Sequence, residues 1–266
     1  MKQIRGAHPT NFPPPGVMER IIRVLFFVRP ETRALIVKDA RMFWRDTTQW
    51  GQSVMLFGLL GVYIINLRHF TQQLNNPFWI NLVAYLNLSA CALNLATLTT
   101  RFVYPQFSLE GRRLWIIGMA PLGLKRVVRV KYWLASMAAL VVTLTLITLS
   151  CHLLKMTWDQ VAFFGSIVTV MRFSLTGLSV GLGVLYPNMK DANPSKIVSG
   201  FGGTLCLVLS FLYILGSVLL LALGTAGFHA HISWIIGSVI LFSALSLVIG
   251  WLPMKLGMRQ LDKLEF

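Results

Sequence analysis

Charge is scarce in this sequence, and negative charge is scarcest. Of 266 residues only 12% are Asp, Glu, Lys or Arg, with nine acids against 24 basic residues. A soluble domain carries about 25% charged residues, so a water-facing surface cannot be built from this chain. Its composition, 55% hydrophobic with a mean hydropathy of +0.66, is that of a bilayer protein. Cysteine is also rare. Cys91, Cys151 and Cys206 each stand alone in an apolar run, which excludes a disulfide framework and a CxxC metal site. No GxxxxGK[ST] string and no Gly-Lys dipeptide occurs, so the chain has no phosphate loop for ATP. The five histidines are scattered, and His229 and His231 fall in a polar turn, so no metal site is expected. The net charge of +15 would suggest nucleic acid in a soluble chain. In an apolar one it reads as the basic bias of cytoplasmic loops, with membrane lipid rather than nucleic acid as the partner.

What the chain does have is long uncharged runs. A helix needs about 20 apolar residues to cross the hydrocarbon core. Runs free of charge predict spans at about 50–67, 78–100 and 132–154, and a fourth at 161–185 that is interrupted only by Arg172. The run from Ile197 to Met254 holds no formal charge and is too long for one crossing. It must turn near Gly224–His231, where small and polar residues interrupt the leucines, giving spans at 201–223 and 233–252. The expected fold is all-α, a polytopic membrane protein with six transmembrane helices. Placing the N-terminus inside puts 21 Lys and Arg in cytoplasmic segments and only Arg68 and Lys155 outside, so both termini are expected in the cytoplasm of a cell-membrane protein.

The proline-rich start, residues 1–30, has no apolar core of a cleavable signal peptide. Glu31 to Asp46 mixes Leu35, Ile36, Val37, Phe43 and Trp44 with Arg33, Lys38, Arg41 and Arg45. That pattern predicts a helix lying along the cytoplasmic interface, its basic residues toward anionic lipid. Residues 255–266 form a cytoplasmic tail.

Within the predicted spans the polar residues are almost all uncharged. Gly177-Leu178-Ser179-Val180-Gly181 matches GxSxG, but a nucleophile elbow needs a strand-to-helix turn, and these residues lie in mid-span. They read instead as a small-residue stripe for close helix packing. Asn87-Leu88-Ser89 fits a glycosylation sequon but lies within a span. Asn81, Asn87 and Asn94 lie six and seven residues apart along one span, as hydrogen-bonding glue or as a polar substrate path. Arg172 is the lone charge deep in a span, and such residues are candidate functional sites by default. A structural role for it stays equally open.

The segment from Arg101 to Lys131 is the most specific. It contains Ser108-Leu109-Glu110-Gly111-Arg112-Arg113, then Trp115 and Ala120-Pro121, and a basic stretch leading to the third span. Its pattern predicts a short amphipathic helix at about Gly111 to Met119, stopped by Pro121. With the order of interfacial helix, two spans, this loop and four further spans, it resembles the permease subunit of ABC-2 type exporters. The segment Tyr186–Gly203 is similar as well. The likeness covers residues 31 to 254, and the chain resembles the C-terminal half of double-length members, its proline-rich start standing where an inter-half linker would be.

That resemblance implies a permease subunit driven by a separate ABC ATPase. Glu110, Gly111, Arg112, Arg113, Trp115 and Pro121 would form the coupling helix; Arg172, Asn81, Asn87 and Asn94, polar residues within the spans, are the candidates to line a path. It implies no enzyme activity and no cofactor in this chain, ATP and Mg belonging to the ATPase, and a second permease half as a further partner. The rival readings are an integral-membrane enzyme acting on lipid and a non-transporting membrane scaffold.

Overall fold

The computed structural model describes residues 36–38, 51, 54–55, 57–58, 61–63, 77–111, 123–154, 156–191, 193–226 and 232–262. The chain divides into two units, Met1–Trp50 and Gly51–Phe266. In the first unit Ile36–Lys38 are helical, and the rest of the expected interfacial helix at 31–46 lies outside the described residues. In the second unit the described residues form helices and no strand.

The helices are α1 (Pro77–Leu98), α2 (Gln106–Glu110), α3 (Leu124–Leu153), α4 (Trp158–Leu185), α5 (Pro194–Val198), α6 (Phe201–Ala226) and α7 (Ile232–Asp262). Five helical stretches are long and apolar enough to cross a membrane, one of them α1 continued through α2. The expectation of six is therefore met for five among the described residues. The first predicted span, 50–67, is described only at Gly51, Val54, Met55, Phe57, Gly58 and Gly61–Tyr63, all helical. The apolar run after Ile197 does divide into two long helices, α6 and α7.

Two boundaries differ from the sequence reading in an instructive way. Lys125, Arg126, Arg129 and Lys131 lie inside α3, not ahead of it. Charge ends the hydrophobic run but not the helix, because Lys and Arg are good helix formers. Likewise α7 runs through Pro253, Lys255 and Arg259 to Asp262.

Local chemistry explains the helix ends. The Thr157 backbone N–H donates to Gln160 Oε1 at 3.2 Å, and Asp159 sits in the first turn of α4, where a negative charge suits the helix dipole. Asn193 caps α5 by accepting the Ser195 N–H at 3.0 Å. At the end of α1 the chain widens into a π turn, Thr99–Val103, with Tyr104 N–H bonded to Thr99 O. Pro105, which has no N–H to donate, then starts α2.

The most buried helix is α4, and it packs chiefly against α7 and α3. One apolar cluster joins Leu88 and Leu95 of α1, Ile147 of α3, Val168, Met171 and Leu175 of α4, Ile214 and Leu221 of α6 and Phe242 of α7. A second, at the α2 end of the bundle, joins Val103, Phe107, Leu124, Val128, Val180, Val184 and Leu261.

Candidate functional site

At the α2 end of the bundle an ion pair is sealed within protein. Glu110 Oε1 lies 3.0 Å from Lys131 Nζ, and both side chains are almost wholly buried. Lys131 also donates to the Gln106 carbonyl at 3.4 Å. The pair pins the short helix α2 to the first turns of α3. Phe107, one turn earlier, packs with Val128, Val180 and Val184, so α2 is held from both sides.

Further bonds tie this layer to the segment after α4. The Ser108 hydroxyl accepts the Asn188 N–H at 3.1 Å, and the Tyr104 hydroxyl donates to the Tyr186 carbonyl at 3.2 Å. Asn188 in turn donates to Asp191 Oδ2 at 2.9 Å. Gly111 follows with φ +25° and Gly123 with φ +66°. Both conformations disfavour a side chain bearing Cβ. These two glycines therefore bracket the segment 112–122, which contains Arg112, Arg113, Trp115 and Pro121. Those four residues, and residues 112–119 of the helix expected at Gly111 to Met119, lie outside the described residues. The helix that is described stands one turn earlier, at Gln106–Glu110.

The Asn row on α1 is not uniform. Asn81 is exposed, whereas Asn87 is buried and accepts the Ser150 hydroxyl of α3 at 2.5 Å. Asn94 is half-buried, with Oδ1 unpartnered. Asn87 and Asn94, seven residues apart, share a face, whereas Asn81, six residues before Asn87, lies about a third of a turn away; only Asn87 bonds another helix among the described contacts. Ser179 of the GxSxG string lies in mid-helix, 3.4 Å from Cys206 Sγ, and Thr100 Oγ1 is 3.6 Å from the same sulfur. The flanking glycines do pack closely: a Cβ on Gly177 would meet Gly250 O at 2.5 Å. No grouping of three His, Cys, Asp or Glu that could hold a metal occurs among the described residues.

Arg172 is fully buried in α4. Its Nη1 donates to both the carbonyl and, at 2.7 Å, the hydroxyl of Ser136 on α3. Sequence reasoning had no means of finding Ser136, nor the pairing of Glu110 with Lys131. Both depend on which faces of α3 meet its neighbours.

These features define a helical bundle compatible with a membrane protein, with a buried charge layer at one end. The chain matches the family described as "Putative ATP-binding cassette" over residues 3–266, and it belongs to that family. No curated protein and no solved structure matches it. The match overturns the assignment to the ABC-2 type exporter permeases, and with it the reading as a permease subunit driven by a separate ATPase. That assignment rested on helix order and one short loop. Apolar spans are drawn from so few residue types that such a pattern discriminates poorly between families. Membership of a cassette family does support a place in an ABC transporter assembly.

Proposed function

We propose that the chain is a membrane-embedded component of an ABC transporter assembly, and that the layer around Glu110 and Lys131 is its mechanical contact with a partner subunit. The buried ion pair carries this reading. Through it, and through Phe107, a push on segment 112–122 is delivered to α3 and α4 instead of being absorbed by a loose loop. Glu110 is turned into the protein, so it acts by holding α2, while Arg112 and Arg113 would meet the partner. The exposed apolar flank of α7 leaves room for a second bundle.

In this reading the chain lies in the cell membrane with both termini in the cytoplasm, supported by the 21 to 2 division of basic residues. Reporters fused after Gly123 and Phe266 should report the cytoplasmic side, and those after Leu67 and Ala226 the outer side. A cytoplasmic signal at Ala226 would break the assigned topology.

The contact itself is tested by replacing Arg112 and Arg113 together with Ala. Hydrogen bonds to charged groups contribute about 1.5–3 kcal/mol each, so co-purification of the partner should fall by tenfold or more while insertion is unchanged. Undiminished co-purification would refute the proposal.

A further inference from the structure

The guanidinium of Arg172 is incompletely satisfied. Nη1 is bonded to Ser136, but Nε and Nη2 have no hydrogen-bond partner, and the residue is fully buried. None of its bonds among the described residues goes to a carboxylate. An unpaired buried charge is costly, and its unmet donors add to that cost. Nε and Nη2 are the two nitrogens on one edge of the guanidinium, the fork that takes a carboxylate or phosphate in two parallel bonds.

The groups around Arg172 show from which side such an anion could come. Its guanidinium carbon lies 3.6 Å from the centroid of the Phe173 ring. Phe173 lines a cleft of about 470 Å³ between α3, α4 and α7, with Tyr132, Ser174, Leu247 and Trp251 among the other walls. The Tyr132 hydroxyl donates to the Phe173 carbonyl at 3.5 Å, holding that wall together. A space of this size lies in the range of small-molecule sites. Its lining is mostly apolar, so by itself it would accept a hydrocarbon chain. With Arg172 behind one wall, the same cleft favours a chain that ends in an anion. Lys255, with Nζ 4.3 Å from the Trp251 ring centroid, adds positive charge beside another wall.

We infer that the cleft binds an anionic amphiphile, an alkyl phosphate in type, with its chain along Leu247 and Trp251 and its phosphate on the Nε and Nη2 edge of Arg172. The Phe173 ring is the partition that turns aside to admit it. This site is separate from the contact layer at Glu110 and does not depend on it.

Tritiated hexadecyl phosphate is the probe, with the intact chain in nanodiscs of zwitterionic lipid. Saturable binding is expected, uncompeted by hexadecanol or by inorganic phosphate at equal concentration. Arg172→Gln should weaken it at least tenfold, and Arg172→Lys should restore only part, because Lys keeps the charge but lacks the fork. Ser243→Trp fills the cleft from its exposed rim and leaves Arg172 untouched, so it should abolish binding in a chain that inserts normally. The inference is overturned if hexadecanol competes as well as the phosphate, or if both Arg172→Gln and Ser243→Trp bind normally. Equal competition by inorganic phosphate, with no effect of Ser243→Trp, would show a soluble-anion site and overturn the role of the cleft.

Discussion

Replacing Lys131 by Met is expected to destabilise the helix bundle by about 3–5 kcal/mol, because it removes the ammonium that lies 3.0 Å from a buried carboxylate, that of Glu110. The pair distance of 3.0 Å and the burial of both side chains put it in the class where losing one partner costs far more than losing both. The double variant Glu110→Gln with Lys131→Met should therefore recover at least half of the loss, since the charge that needed compensation is gone. Chemical or thermal unfolding in detergent micelles, followed by tryptophan fluorescence, measures both variants. A double variant no more stable than Lys131→Met would show that the pair is not the element holding α2 to α3. Glu110→Gln alone should fall between the two, because the remaining ammonium still has the Gln106 carbonyl at 3.4 Å.

The second large effect is expected where α4 meets α7. A Cβ on Gly181 would lie 2.6 Å from the Met254 backbone nitrogen, and one on Gly177 would lie 2.5 Å from the Gly250 carbonyl oxygen. The obstacles are main-chain atoms, which cannot rotate away as a side-chain tip can. Gly181→Ala should then cost about 1–3 kcal/mol through overpacking, and Gly181→Val more. Gly237→Ala is the control. Nothing lies within 4 Å of the Cβ it adds, so its gain in helix propensity, about 1 kcal/mol relative to Gly, should appear undiminished. Unfolding midpoints that move in the same direction for Gly181→Ala and Gly237→Ala would show that the close approach of α4 and α7 carries no energetic weight.

Both predictions rest on features of which the sequence showed one half. The stripe Gly177, Gly181 and Gly183 was visible as a surface suited to close packing, yet nothing in it named a partner. Gly177 and Gly181 meet Gly250 and Pro253 of α7, while Gly183 meets the Tyr104 backbone. Glu110 was visible as the lone acid of a basic loop and was read as part of a coupling helix. Lys131, 21 positions later in a segment read as a basic approach to the third span, is the partner that α3 brings to it. The Asn spacing was legible in the same partial way. It put Asn87 and Asn94 on one face but could not say that Asn87 alone would find the Ser150 hydroxyl.

By itself, the sequence determined the helical class and the approximate place of the long apolar helices. It also fixed the division of the Ile197–Met254 run and the lack of a phosphate loop. These follow from composition and run length, which are local properties set by the cost of burying charge and by the rise of a helix. Only the tertiary structure decided that the basic start of α3 is helical and partly buried. It alone placed an ion pair beneath α2, and left the fork of Arg172 unfilled beside a cleft. Those depend on how helices are rotated against one another. In a chain whose spans are apolar almost all round, periodicity scarcely distinguishes one face from another. The rotation is settled by a few small residues that permit close approach and a few polar groups that must find partners across it.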